Sequence, residues 1–545
     1  MSASSKKKLR KEQEAAKLTE KQLTAQKEAK ITKLYTAAFI AGMAVILVIA
    51  IVIGISQYIS NSGIRENKTV AVTVGEHQLS NAELNYYYID TINNFYSQNG
   101  SYAAMFGLDV TVPLDEQVFD ESTGETWADY FLESAKNNAA TIYALADAAK
   151  AAGHTLSEDE VANLDNMVNT YDAYAVMSGY PDTDTYLKAM YGRGASKKNF
   201  RAYVENNMLA ESYNTAYSNS LTYEDADLRA AEAENYDLFS SYDYNYYLVS
   251  ASRFLEGGTT AEDGTVTYSD AEEAASVAAA EAAAKAIVES DITTVEAFDA
   301  AIAAMEINSE YEDPVSSITY NAQSYSSIDE DMAQWLSDEA RKEGEIGMVA
   351  NNSLSADGET SSVTGYYIMF FRGENENDFP MKNVRHILVQ FEGGTADEMG
   401  NTTYTDEEKS AAKTAAETIL NEWKSGEATE DSFAALAAER SNDTGSTANG
   451  GLYENVYPGQ MVTAFNDWCY DESRKAGDTG IVETEYGYHV MFFVGNSQET
   501  YRDFQIRNQL ASADHATWYN EIVSNVTVTD GDTKYIAKDL VLQAN

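Results

Sequence analysis

The spacing of apolar and polar residues changes character several times along the chain. Residues 37–55, AAFIAGMAVILVIAIVIGI, are apolar or Gly without a break, and no charged residue stands between Lys33 and Arg65. An uncharged stretch of that length predicts a helix able to cross a bilayer. VAVTVGEHQLSNAEL (70–84) then reads as a strand, a turn at Gly75 and a helix. Ser80 and Glu83 have capping-box spacing, in which each side chain satisfies a free backbone donor at the helix start. From 80 to 240 the pattern stays helical and polar, with a second capping box at Ser157–Glu160 and frequent tyrosine. Tyrosines at helical spacing predict core positions and groove walls, and their amphipathic rings also suit a permissive peptide-binding surface.

Beyond residue 240 the pattern repeats itself. YNYYLVS (244–250) and VRHILVQ (384–390) are both strand-like, and each is followed by a Gly-Gly loop and a capping-box helix start, Ser269 with Glu272 and Thr405 with Glu408. The helix after Thr405 places Ala412, Ala415, Ala416, Ile419, Leu420 and Trp423 on one stripe, the pattern of a helix lying on a sheet. A short helix follows in each copy (295–302 and 430–437), then a helix and turn sharing a tryptophan (334–349 and 467–482). Each copy closes on nearly the same strand, GYYIMFF (365–371) and GYHVMFF (487–493). Six elements matching in order predict a tandem duplication of one β-α-α-α-β unit.

Charge sets the compartment. The chain holds 37 Lys and Arg against 87 Asp and Glu, a net charge of −50. The balance is uneven: residues 1–33 carry 10 basic and 4 acidic residues, leaving 27 basic and 83 acidic residues, or −56, for the remainder. A surface so negative repels phosphate backbones and excludes nucleic acid as a partner. The basic leader stays in the cytoplasm by the positive-inside rule, so the bulk of the chain is expected outside a bacterial cell, held by a single retained span. Cys469 is the sole cysteine, which rules out an internal disulfide.

The second copy adds chemistry to the fold. RHILV, SNDTGSTANGG (441–451), PGQMVTAF (458–465) and TEYGYHVMFF (484–493) follow one another in that order. Together they resemble a parvulin-type peptidyl-prolyl cis/trans isomerase, over residues 380–497. The segment beginning VAVTVGEHQLSNAEL resembles the chaperone domain of the PrsA/SurA class of extracytoplasmic foldases. The resemblance implies an α+β chain in six parts. These are a cytoplasmic leader (1–33), a transmembrane signal anchor (34–59), a helical chaperone domain (69–240), a degenerate parvulin-like domain (241–378), a parvulin domain (380–497) and a C-terminal segment (498–545) that completes the chaperone lobe.

The resemblance also implies roles. His386 and His489 would lie side by side on central strands, with Asp443 as the third polar residue of a catalytic set. Leu452, Met461 and Phe465 would hold the proline ring, and Thr484 would join the histidine network. Each has a plainer reading alone: a structural strand histidine, a turn aspartate in NDTGS, core Met and Phe. Two of five histidines falling on both family positions favours the functional reading. No Cys or further His stands at ligand spacing, so neither a metal nor another cofactor is expected. One departure from the family is visible: the acidic residue usual after the paired glycines is absent, and Gly451 runs directly into Leu452 and Tyr453.

In the first copy, Tyr246 and Tyr367 take the two histidine positions, and no counterpart of SNDTGSTANGG stands between Ala303 and Trp335. That copy is expected to bind or space, not to catalyse. The loop QFEGGTADEMGN (390–401) carries three acids and no Lys or Arg, so phosphorylated substrates would be repelled. The expected partners are unfolded secreted chains containing X–Pro bonds. Two rival readings stand beside this one: a non-catalytic holdase, and a surface scaffold built from silent parvulin folds.

Overall fold

The computed structural model describes residues 3–11 and 63–542, apart from 262, 309–314, 355–360, 398–401 and 541. The expected signal anchor at 34–59 lies outside the described residues; among the described residues no helix is long and apolar enough to cross a membrane. The chain divides into two compact units, Met1–Thr222 with Ala511–Asn545, and Tyr223–Leu510.

In the first unit, β1 (Val70–Val74) pairs antiparallel with β2 (His77–Ser80) on one side and with the strand Val528–Asp530 on the other. Five helices follow: α1 (Asn81–Asn99), α2 (Trp127–Ala151), α3 (Glu158–Met177), α4 (Thr183–Tyr191) and α5 (Lys197–Ser220). The capping boxes read from the sequence form at Ser80 and Ser157. Tyr86, Tyr88, Tyr186 and Tyr191 are fully buried among Leu84, Ile92 and Phe131, so these tyrosines build the core. Asp90 accepts hydrogen bonds from Tyr203 and Tyr191, and burial pushes its carboxyl up to about 6 despite them.

The second unit contains the duplication. The first copy runs β3 (Ser241–Ser250), α6 (Asp270–Val288), α7 (Val295–Ala303), β4 (Ile318–Ser324), α8 (Glu330–Leu336), β5 (Ile346–Leu354) and β6 (Ser361–Asn375). The second runs β7 (Pro380–Gln390), α9 (Asp406–Ser425), α10 (Glu430–Arg440), β8 (Leu452–Val456), α11 (Thr463–Tyr470), β9 (Thr479–Thr484) and β10 (Gly487–Thr500). Both sheets are antiparallel, four-stranded and identically ordered, β4-β3-β6-β5 and β8-β7-β10-β9. Each copy thus holds two strands more than the β-α-α-α-β expectation. The short polar strand beside β3 or β7 lacks apolar alternation, because it lies at a sheet edge and is half-exposed.

Details recur between the copies. Trp335 and Trp468 each lie under an arginine, Arg341 at 3.8 Å and Arg474 at 3.9 Å from the ring centroid. Each indole also covers a glycine, where an added Cβ would fall 2.1 Å from Trp335 Nε1 at Gly347, or 2.5 Å from Trp468 Nε1 at Gly480. The pairing registers match as well: Tyr246 stands opposite Met369 and Tyr367 opposite Leu248, as His386 stands opposite Met491 and His489 opposite Leu388.

Residues 223–240 and the start of the last helix (Tyr501–Val523) pack within this second unit, where Leu228, Phe239 and Ile506 share a cluster. Buried Arg502 ties them together. It pairs with Glu232, donates to the Tyr236 carbonyl at 2.8 Å and to the Glu376 carbonyl at 3.0 Å, and lies 4.0 Å over the Tyr236 ring.

Candidate active site

The period-two alternation of β7 and β10 divides their side chains between two faces. Ile387, Tyr488, Val490 and Phe492 meet α9 and α10, while Val384, Met491 and Phe493 meet α11 on the other face. His386 and His489 fall on the α11 face. The rings stack with centroids 5.2 Å apart, and their Nδ1 atoms lie 2.9 Å apart. Both are buried.

Asp443 reaches the pair because its loop is stitched to β7. The Leu388 amide donates to Ser441 Oγ, the Asn442 amide to the Leu388 carbonyl, and the His386 amide to the Gly451 carbonyl. Arg385 donates to the carbonyls of Asn449 and Gly450 at 2.8 and 3.0 Å while paired to Glu430. Gly451 has φ +72°, and a Cβ there would stand 2.2 Å from the His386 carbonyl oxygen, so the close approach of loop and strand requires glycine.

A continuous hydrogen-bonded chain results. Asp443 Oδ2 lies 2.8 Å from His386 Nε2, and Thr484 Oγ lies 2.9 Å from His489 Nε2. Burial would push the Asp443 carboxyl up, but hydrogen bonds from His386, Ser446 and Tyr453 outweigh it and hold the carboxyl well below its ordinary range. Burial, reinforced by the neighbouring His386, depresses His489 to about 3. With Asp443 anionic, His386 Nε2–H donates to its carboxylate, and one proton is shared between the two Nδ1 atoms.

Two members of this network were not singled out in the sequence. The Ser446 hydroxyl donates to Asp443 Oδ2 at 2.5 Å, and the Tyr453 hydroxyl donates to the same oxygen at 2.8 Å. Ser446 follows Asp443 by three residues within turn chemistry, which is a weak local signal. Tyr453 has none, since the first residues of β8 carry it to the carboxylate. Burial and the adjacent anion push the Tyr453 hydroxyl far up, so it remains a donor.

Phe465 packs edge-on to both imidazoles, with centroids 5.5 Å from His386 and 5.4 Å from His489. At 2% exposure it is a buried floor and not an open shelf. Met461 and Tyr453 are half-buried against the same cluster. Leu452 is half-buried at the start of β8, its backbone closed on the Asn449 side chain. Among the described residues no cluster of three His, Cys, Asp or Glu side chains could hold a metal ion. The hydrogen-bonded chain supplies fixed polar groups around an apolar floor.

Residues 366–495 match the PPIC-type PPIase domain family, and residues 27–214 match the SurA-like N-terminal domain family. The chain therefore carries a parvulin-type peptidyl-prolyl isomerase domain and a SurA-like N-terminal domain, and its named relatives are PrsA and SurA proteins. Foldase protein PrsA 1 of Listeria innocua is 32% identical over 165 residues, covering 28% of this chain and 48% of that protein. Chaperone SurA of Chromohalobacter salexigens is 33% identical over 169 residues, covering 29% of this chain and 34% of that protein. The chain thus spans half or less of these curated relatives. The crystal structure of PrsA from Bacillus subtilis is 14% identical, covers 73% of this chain and 86% of its own, and gives a TM-score of 0.27.

Proposed function

We propose that this chain is a membrane-anchored extracytoplasmic foldase that isomerises X–Pro bonds in unfolded secreted or surface proteins and shields them while they fold. The observation that carries the catalytic reading is the chain Asp443–His386–His489–Thr484 lying against Phe465. Rotation about an X–Pro bond faces a barrier of roughly 18–20 kcal/mol and breaks no covalent bond. It calls for a water-poor apolar seat for the ring and polar groups fixed beside the twisting amide, so that the twisted form is held better than the planar one. The second copy has such an environment. His386, Asp443 and His489 set the polar side, and Leu452, Met461, Phe465 and Thr484 complete the seat. The first copy, with Tyr246 and Tyr367 at the histidine positions, binds or spaces.

In this reading residues 69–222 and 511–545 serve the chaperone lobe, while 223–240 and 498–510, expected in that lobe, pack with the second unit instead. Residues 241–378 form the silent domain, 380–497 the isomerase, and 34–59 the span that leaves the leader 1–33 in the cytoplasm. The unbroken apolar run and the charge asymmetry support the topology.

The decisive experiment follows the isomerisation of an unphosphorylated prolyl peptide by the full chain and by His386→Gln/Asp443→Asn. Acceleration by the parent and its loss in the double variant are expected. A parent chain that suppresses aggregation of an unfolded protein but leaves proline isomerisation at the uncatalysed rate would make the holdase reading the right one. Protease treatment of intact cells should remove the acidic bulk and spare the leader. Recovery of a form beginning near residue 60 in the medium would overturn the anchor.

A further inference from the structure

Between α1 and α2 the first unit presents apolar side chains to solvent. Tyr102, Met105 and Phe106 are 59%, 81% and 54% exposed on the turn Gly100–Phe106, and Val118 and Phe119 are exposed on the short ribbon Val118–Asp120. Single exposed hydrophobic residues are ordinary, but a grouped set marks an interaction surface. These are grouped. Phe106 packs against Phe95 at 6.1 Å, Phe95 against Trp127 at 5.5 Å, Trp127 against Phe119 at 4.8 Å, and Phe119 stacks on Tyr130 at 4.3 Å. The outer rings are therefore one edge of an aromatic layer whose inner members, Trp127 and Phe131, belong to the core. Phe106 and Phe119 are thereby held in place before any partner arrives.

Charge says what that partner is. From Thr69 to Ala135 the chain has 11 Asp and Glu residues and no Lys or Arg. Asp115, Glu116 and Glu121 flank the apolar set and are exposed. Of the cations nearby, Lys538 is paired with Asp129 at 2.8 Å, and Lys136 is paired with Glu133 and Asp530. An acidic rim repels anionic lipid headgroups and a second copy of a chain with net charge −50.

We propose that the surface formed by Tyr102, Met105, Phe106, Val118 and Phe119 docks extended polypeptide segments whose aromatic or large aliphatic side chains are flanked by Lys and Arg. The proposal rests on the foldase reading and names the sequence chemistry that the chaperone lobe selects. Apolar side chains seat on the aromatic edge, and the flanking cations meet the acids around it.

The test measures binding of labelled peptides to the full chain in neutral detergent. Three probes share one length: a Phe/Leu centre with Lys/Arg flanks, the same centre with Asp/Glu flanks, and a Ser centre with Lys/Arg flanks. The first should bind at least about tenfold more tightly than either other probe, a difference readily resolved in Kd. Met105→Ser/Phe106→Ser should lose about that factor, and Glu116→Lys/Glu121→Lys should weaken the first probe and strengthen the second. All four positions are exposed, so folding is not at stake. Equal binding of the three probes, or unchanged binding in Met105→Ser/Phe106→Ser, overturns the proposal. So does capture of anionic vesicles, or self-association, that this double variant abolishes. Isomerisation of a short prolyl peptide should be unaffected by Met105→Ser/Phe106→Ser. If the parent shows no isomerisation at all, the catalytic reading fails while the docking result stands on its own measurements.

Discussion

The Tyr453 hydroxyl donates to Asp443 Oδ2 at 2.8 Å, the same oxygen that faces His386 Nε2 at 2.8 Å. With Ser446 as a third donor, that oxygen is saturated, and Asp443 acts as a clamp on the imidazole. Tyr453 stands two residues after Gly451, at the start of β8, and fixes the carboxylate from there. Tyr453→Phe removes one donor to an anion, a contact of about 1.5–3 kcal/mol when buried and less at this half-buried site. The variant should melt close to the parent and isomerise several-fold more slowly. Serine at 446 becomes more important once Tyr453 is gone, so Ser446→Ala should cost more in the Tyr453→Phe background than alone. Additive effects of the two substitutions on the rate would show that they do not share the carboxylate.

His489 makes stability depend on pH. Its folded value, lowered to about 3 from an ordinary 6.5 by burial and by His386, means the unfolded chain binds a proton that the folded chain refuses between those limits. Stability from this group is complete above pH 6.5 and is lost as pH falls toward 3, about 2 kcal/mol of it by pH 5. Asp443, also depressed, adds a second loss below the ordinary carboxylate range. Denaturant titrations at pH 7 and pH 5 should therefore show a larger drop for the parent than for His489→Asn. Equal drops would mean that His489 is protonated in the folded protein.

The elements carrying the site were legible from local patterns. The two strands holding His386 and His489 read as runs of β-branched and aromatic residues, buried on both faces, and the α9 stripe buries Ala412, Ala416, Ile419, Leu420 and Trp423. Ala415, at the stripe's margin, is exposed instead, since the sheet beneath covers a narrower arc of the helix than the spacing allowed. The edge strands β4 and β8 were not legible, because half-exposed edges carry no apolar alternation. Tyr453 and Ser446 were hidden for a related reason: what recruits them is the fold of a loop onto β7, which leaves no local pattern.

Arg502 supplies a stability prediction away from the site. It is buried, paired with Glu232 and bonded to two backbone carbonyls. Arg502→Met keeps the packing volume but leaves those carbonyls without their partner and Glu232 with Arg229 alone, a loss below the about 3–5 kcal/mol of a fully broken buried pair. Unfolding of the second unit, followed by calorimetry, should shift to clearly lower temperature. Glu232→Gln/Arg502→Met should recover part of the loss, and failure to recover any would place the cost in the carbonyls and not in the ion pair.

The first copy tests whether geometry without the polar set suffices. Tyr246 and Tyr367 occupy the matching registers and meet edge-on, 5.7 Å apart, with Tyr320 stacked on Tyr246 at 5.8 Å. In a full chain carrying His386→Gln/Asp443→Asn, residual isomerisation should be absent. Adding Tyr246→His/Tyr367→His to that chain should not restore it, because the sequence between Ala303 and Trp335 has no counterpart of SNDTGSTANGG, the stretch that carries Asp443. Recovery of activity would show that two imidazoles alone perform the reaction.

Phe465 separates a floor from a shelf. A shelf residue could be trimmed with loss of substrate binding alone, and a transition like the parent's would remain. The ring is instead 2% exposed, wedged among Val384, Cys469, Met491 and Phe493 and edge-on to both histidines. Phe465→Ala should therefore cost about 3–5 kcal/mol of stability by opening a cavity, and activity would fall partly because the imidazoles lose their support. Met461→Ala, at a half-buried position, removes apolar surface that a substrate can reach and should raise KM with little change in melting. Phe465→Leu keeps most of the volume and should preserve the fold while loosening the His386–His489 stack, lowering kcat more than it raises KM. If Met461→Ala lowers kcat and leaves KM untouched while Phe465→Leu does the reverse, the two assignments must be exchanged: Phe465 would be the residue that meets the proline ring, and Met461 the one that supports the pair.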